Sequence, residues 1–569
     1  MPTISDLSNC TPTSVLTKRV KHGHWHLIPY EAEGLSGVMI GAAPMTCAPD
    51  VTLPLEASGW HAIHLGFWNP HHDYQGHSRV KLKLTGDPCF QPIMDPAPPL
   101  EWPGKCELKE AFFKNADLTG KQLIIAQQSK GCRPHKAYVA YIKLTPLTNG
   151  QVAAIQADRA NRSTRILYAL NDGNGIFYDG PTTAQDLLEE VEQYRHSDVG
   201  ALLFAVSSGD IVNYPSKIAM PWMADVGDAV GTADRCVLRD SVRTLLDSNV
   251  VPVRVMADHC HEMGIGFHAM FRMGIIGDIP PGELWNPHSG FVRRHPELRM
   301  LDKDGTPIEK ASYAYPEVRE FMVSMISELC EAYDVDGVNL GLIRGPHFVG
   351  YEDIVVEDFR KQYGIDPREL DENDDRAQQH RASYLNELLR CVRKRLDEIG
   401  GKQGGKIELS AMAYTGNYPI NLFFGLDVRT WLQERLLDTL FMSLPMEDEV
   451  ARAVRDANCR LITHLMPNTR DARADEAETL EMALRGFESG VDGFWYWDMN
   501  SRQNKPNYWQ VLSRTGHRDE VAQMSQSPPR MKTTLLHTVG GYTVNHSTNR
   551  GSDERGYWPP EMQPIFSGG

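Results

Sequence analysis

From about residue 165 onward the chain repeats one rhythm eight times: a short apolar run, a polar loop, then an amphipathic stretch. The apolar runs fall at 165–170, 201–206, 266–271, 337–343, 407–413, 439–443, 461–465 and 494–497. Most are continuous rather than alternating, as a parallel strand covered on both faces should be. Between them, 182–197 places Leu187, Leu188, Val191 and Tyr194 at helical spacing. After Pro316, which suits a first helical position, Val318, Phe321, Met322, Met325, Ile326, Leu329 and Tyr333 form one stripe. Further helices are predicted at about 384–399 and 476–488. Alternating strands and helices predict a parallel sheet, and eight strands is the number that closes as a (β/α)8 TIM barrel. An open doubly wound sheet would carry a glycine-rich phosphate loop after its first strand; Asn171-Asp172-Gly173-Asn174-Gly175 does not match that pattern.

The chain of 569 residues is too long for a single core. Before the barrel the period is two: Val80, Leu82 and Leu84 alternate with Arg79, Lys81 and Lys83, making one apolar and one charged face. Tyr138, Ala140, Ile142 and Leu144 alternate less cleanly. Pro-, Gly- and Asp-rich turns punctuate these strands, which predicts an antiparallel β-sandwich, carbohydrate-binding in type, over 1–150. The stretch 149–165 is polar and aperiodic and marks the boundary. The barrel is expected over 165–520. A Pro-, Ser- and Gly-rich tail over 521–569 contains one strand-like piece at 533–539, which either joins the sandwich or wraps the surface.

A formal charge of −16 argues against nucleic acid or an anionic membrane as partner, since both require a basic face. The first thirty residues hold no apolar export core, and no stretch approaches the roughly 18 apolar residues needed to span a bilayer, so a cytoplasmic protein is expected. The ten cysteines are scattered, with no C-x-x-C pair, and read as reduced, mostly buried thiols. No metal or other cofactor is expected, and a homo-oligomer is left open.

A barrel of this kind carries its active site at the C-terminal ends of its strands. Strand one ends in Asn171 and Asp172, strand two in Ser207, Ser208 and Asp210. Strand three offers His268 and Arg272; strand four offers Asn339 and Arg344, with His347, Glu352 and Asp353 in the loop beyond. Strands five to seven add Tyr414, Glu447, Asp448, His464 and Asn468; strand eight adds Trp495, Trp497, Asp498 and Asn500. Sugars call for this mixture, because aromatic faces cover C–H patches while carboxylates and arginines take hydroxyls. Glycoside cleavage also needs two carboxyl groups, and Asp498 with Glu447 is the first pair to consider. Asp172, Asp210, His268, Arg272, Arg344, Tyr414, His464, Trp495 and Trp497 are the expected substrate contacts. Trp495 and Trp497, two apart on one strand, lie either both inside the barrel as a platform or both outside against helices. His259 and His261 fall in a helix, where residues two apart do not share a face, so they read as structural. His268 and His464 with Asp172 or Asp498 could ligate a cation, though nothing in the spacing requires it.

Three segments carry a family resemblance: the run His295 to Gly305, Tyr315-Pro-Glu-Val-Arg-Glu320, and Tyr333-Asp-Val-Asp-Gly-Val338 followed by Ile343-Arg344. With His261-Glu-Met-Gly-Ile265 and Phe267-His268 ahead of them, they resemble the glycosyl-hydrolase-like family 10 proteins, over roughly 250–350. The resemblance implies a barrel and a polysaccharide-related role. In the family pattern an Asp ends strand four; here Asp336-Gly-Val-Asn-Leu-Gly-Leu-Ile-Arg344 places Gly341 at that position, which is expected to open space beneath the site. The sequence therefore supports a glycoside hydrolase with Asp498 and Glu447 as its carboxyl pair. The alternatives are a sugar-binding barrel without chemistry and a metal-dependent lyase or isomerase. Carboxyl groups about 5–5.5 Å apart would give retention, and about 6.5–9.5 Å inversion.

Overall fold

The computed structural model describes residues 3–44, 46–69, 77–95, 107–130, 133–161, 165–173, 175–221, 233–277, 290–465, 476–497, 506–526 and 532–544. Eight strands form the barrel: Leu167–Asn171, Val199–Ser208, Gly266–Arg272, Gly337–Gly341, Glu408–Gly416, Thr439–Met446, Arg460–His464 and Gly493–Trp497. Each pairs in parallel with the next, and the first pairs with both the second and the eighth, so the sheet closes. Residues two apart share a face. One set, including Val338, Leu340 and Leu342, packs outward against the helices. The other, including Tyr168, Leu203, Met270, Met412, Phe441 and Trp495, fills the interior.

The helices follow from local chemistry. Pro316–Ala332 starts at the proline and buries Val318, Met322, Met325, Ile326 and Leu329 along one stripe. Pro252–Met263 also starts at a proline and stops at Gly264, whose φ of 68° is a left-handed conformation glycine adopts without cost. Asn149–Ala160 is helical where the sequence pattern reads as aperiodic. A capping box between Thr148 and Gln151 starts it, and it buries no residue, so no apolar stripe reveals it. Among the described residues no helix is long and apolar enough to cross a membrane.

The N-terminal region is a two-sheet sandwich. A four-stranded antiparallel sheet contributes Val51, Leu53, Val80, Leu82, Leu84, Leu123 and Ile125 to a core shared with a nine-stranded sheet. The larger sheet is antiparallel apart from the short pairing of Leu16–Thr17 with Trp25 and His26. The tail strand Lys532–Val539 completes it: its first half pairs with Glu107–Asp117 and its second half with Trp25–Ala32. Leu536, fully buried, packs there among Ile28, Tyr30, Trp68 and Leu108. The chain thus returns to its first domain after building the barrel.

Candidate active site at the barrel mouth

The C-terminal strand ends carry a continuous band of side chains from five strands. Asp172, one residue beyond strand one, pairs with Arg272 of strand three and with Arg344 after strand four, the latter at 3.4 Å. Arg272 also donates to the Asp172 carbonyl at 3.0 Å, fixing the backbone as well as the carboxylate. The Arg344 guanidinium lies 4.9 Å from the Trp497 ring centre, within cation–π range. Trp497 meets Trp495 edge-on at 5.2 Å, and Trp495 stacks on His464 at 4.2 Å with 28° between planes. Both tryptophans face the interior: Trp495 belongs to the inner core and Trp497 packs against it. This is the geometry of a platform at the mouth, not of helix packing.

Two aromatic ring nitrogens of this band stand without a partner among the described residues. Trp495 Nε1 and His464 Nε2 are buried, with no hydrogen-bond partner among the described residues. A buried unsatisfied donor or acceptor costs free energy that a ligand group can repay. Burial holds the His464 imidazole at about 4, below its ordinary 6.5. The unfolded chain therefore takes up this proton first. Stability conferred by the neutral ring is complete above pH 6.5 and falls as the pH drops toward 4. The loss is about 3 kcal/mol at most. His464→Gln should flatten that part of the stability-against-pH curve, measured by urea unfolding between pH 7 and 4.

Tyr414 lies beside the band, its hydroxyl 3.5 Å from the Ile343 carbonyl and its ring 4.3 Å from Phe424. Phe423 and Phe424 flank His347 at 5.4 and 5.6 Å, extending the aromatic rim. Sequence reasoning missed the two phenylalanines; the signal was the pair Phe423-Phe424 before Gly425, after strand five. It also missed Lys310, which donates to the carbonyls of Gly345 and His347 and so anchors the loop after Arg344. Burial lowers Lys310 to about 7.

Glu447 is exposed at the N-cap of helix Asp448–Asp456, and its Oε1 accepts from Asn417 Nδ2 at 2.5 Å. Asp498, with Asn468 and Asn500, lies outside the described residues. Two expected contacts sit elsewhere. Asp210 is buried at 1% exposure and accepts the Phe291 N–H at 2.8 Å, because the chain turns back after strand two in the short antiparallel pairing of Ile211–Val212. His268 lies near the start of strand three, in register with Leu203 and Gly337, with Nε2 4.0 Å from Glu408 and the Tyr168 ring edge-on. That is well below the mouth. Burial lowers its affinity for a proton. His268 therefore does not join His464 and Asp172. Among the described residues, the convergent groups of ligand-type side chains lie away from this band.

Gly341 does not open space. A Cβ built there would meet the Met270 methyl at 2.8 Å and the Phe271 carbonyl at 3.1 Å, so Met270 already occupies the position an acid would use. Gly341→Asp should cost about 1–3 kcal/mol by overpacking. Adding Met270→Ala should recover part of it, as read from urea unfolding of the single and double variants.

Fold and site together define a TIM-barrel protein with an aromatic and charged mouth. Residues 181–455 match the model of the family described as Glycosyl hydrolase-like 10, so the resemblance around 250–350 extends from before the second barrel strand through the sixth. Among curated proteins, Glycosyl hydrolase DigH of Escherichia coli O6:H1 is 20% identical over 279 residues, 45% of this chain and 56% of that protein. The protein of that name from Escherichia coli K12 is 21% identical over 169 residues, 27% of this chain and 33% of that protein. The chain thus spans about half or less of the length of these relatives. Among solved structures, alpha-L-fucosidase isoenzyme 2 from Paenibacillus thiaminolyticus has a TM-score of 0.40 at 13% identity, covering 64% of this chain and 50% of its own. The PgaB (BpsB) glycoside hydrolase domain from Bordetella bronchiseptica has a TM-score of 0.40 at 11% identity, covering 64% and 99%.

Proposed function

We propose that the barrel mouth binds a poly- or oligosaccharide and hydrolyses a glycosidic bond in it. The observation that carries this reading is the band His464–Trp495–Trp497–Arg344–Asp172–Arg272, which sets aromatic faces beside charged hydrogen-bonding groups. The tryptophans cover the apolar face of a sugar ring while the arginines and Asp172 take its hydroxyls or an anionic substituent. Asp498, next in sequence to Trp497, and Glu447, just beyond strand six, supply the carboxyl pair. One protonates the leaving oxygen; the other attacks the anomeric carbon or draws a proton from the attacking water.

Gly341 favours a second reading, a barrel that binds glycan without cleaving it, because strand four lacks the acid of the family pattern. Incubating the full chain with neutral, uronic and sulfated oligosaccharides separates the two. Hydrolysis yields new reducing ends without added metal. Binding seen by calorimetry, with no product after long incubation, would leave only the binding role.

A further inference from the structure

Away from the mouth, three ligand-type side chains meet where the N-terminal domain rests on the barrel. Cys89 comes from the turn between Arg79–Leu84 and Gln91–Met94, Glu192 from the end of helix Ala184–Glu192, and His259 from helix Pro252–Met263. They are buried, at 1%, 2% and 2% exposure. Cys89 Sγ, a Glu192 carboxylate oxygen and a His259 ring nitrogen lie within 4.8 Å of one another. Metal–sulfur and metal–nitrogen bonds of about 2.3 and 2.0 Å place the ligand atoms of a tetrahedral zinc site roughly 3.2–3.8 Å apart. The geometry is completed when the widest pair closes by at most about an ångström and His259 Nε2 and Glu192 Oε2, now 2.9 Å apart, open by a few tenths.

The surroundings are those of a ligating histidine. His259 Nε2 faces Glu192 Oε2 at 2.9 Å, and Nδ1 faces Glu262 Oε2 at 3.2 Å. A neutral imidazole has one N–H and can satisfy only one of two carboxylates. With the proton on Nδ1 toward Glu262, the Nε2 lone pair points at Glu192, and a cation between them removes the conflict. Arg195 holds Glu192 through Nε to Oε1 at 2.5 Å and Nη2 to Oε2 at 2.8 Å, so Oε1 stays anchored when Oε2 turns to a metal. Metal-free, the buried thiol is pressed toward a carboxylate; burial and the negative charge of Glu192 and Glu189 push Cys89 well above its ordinary range. A bound dication reverses that balance and draws the thiol proton off to solvent. Thiolate and carboxylate neutralise the ion; Arg195 offsets Glu262.

We propose that Cys89 Sγ, Glu192 Oε2 and His259 Nε2 bind a divalent ion of the zinc class, with a water as fourth ligand, pinning the N-terminal domain to the barrel. Ion pairing of Lys81 with Glu189 at 2.8 Å already brings the same two surfaces together.

The test uses the full chain without a metal-binding tag, stripped with chelator and titrated with Zn²⁺ and with Co²⁺. About one zinc per chain should survive gel filtration, and cobalt should give a thiolate charge-transfer band. Cys89→Ser and His259→Gln should each weaken zinc binding at least tenfold, while Cys459→Ser, another buried cysteine, leaves it unchanged. Zinc should raise the unfolding temperature of the native chain but not of Cys89→Ser. A folded native chain without the cobalt band, or equal zinc binding by Cys89→Ser, overturns the proposal. The native cobalt spectrum decides even where a variant fails to fold.

Discussion

Asp172→Ala should cost at least a hundredfold in glycan turnover and about 2–3 kcal/mol in stability. Asp172 faces two guanidiniums, Arg272 on strand three and Arg344 just after strand four. Arg272 is only 14% exposed, so it loses its counter-charge in a place where water replaces it poorly. Breaking a buried ion pair costs about 3–5 kcal/mol, and partial exposure of both partners reduces that figure. Arg344, at 46% exposure, gains little from the pair in stability, but its position over Trp497 depends on it. Small displacements of substrate-positioning groups cost rate out of proportion to their energy. Asp172→Asn keeps the shape and removes the charge, so it should lose turnover while retaining more stability than the alanine variant. Urea unfolding and initial rates, measured on the same preparations, check both effects.

Trp495→Ala should be the most destabilising change at the site, by about 3–5 kcal/mol. At 4% exposure Trp495 fills the upper barrel interior between Phe441, at 6.5 Å, and His464. Its removal leaves a cavity lined by strands that cannot collapse without breaking the closed sheet. It also frees His464 and undercuts Trp497, so glycan affinity should fall with stability. Trp495→Phe separates the terms: it preserves most of the packing and deletes the orphaned Nε1–H. That variant should lose about 1 kcal/mol or less in stability and still bind glycan more weakly.

The barrel was legible because parallel strands buried on both faces leave continuous apolar runs, and the observed strands fall on those runs within a few residues. The stripe after Pro316 gave its helix for the same reason. Longer-range pairings leave no such trace. That Asp172 meets Arg272 and Arg344, one hundred and 172 residues away, depends on how the strands stagger around the closed sheet. Sequence position alone places Asp210 and His268 near strand ends and so at the mouth. The turn after strand two buried one, and the depth along strand three placed the other low in the barrel. The tail strand shows its own pattern at 533–539 but not its partners, the segments 107–110 and 30–32, which lie far back in the first domain.

The most direct test of a sugar-cleaving mouth is reducing-end release from a glycan substrate by the native chain, Asp498→Asn and Glu447→Gln. Each variant should bind the glycan with near-native affinity and turn it over roughly a hundredfold more slowly, with unfolding curves close to the native one. Native rates in both variants would contradict the assignment of these two carboxyl groups, and with it the chemistry proposed for the site.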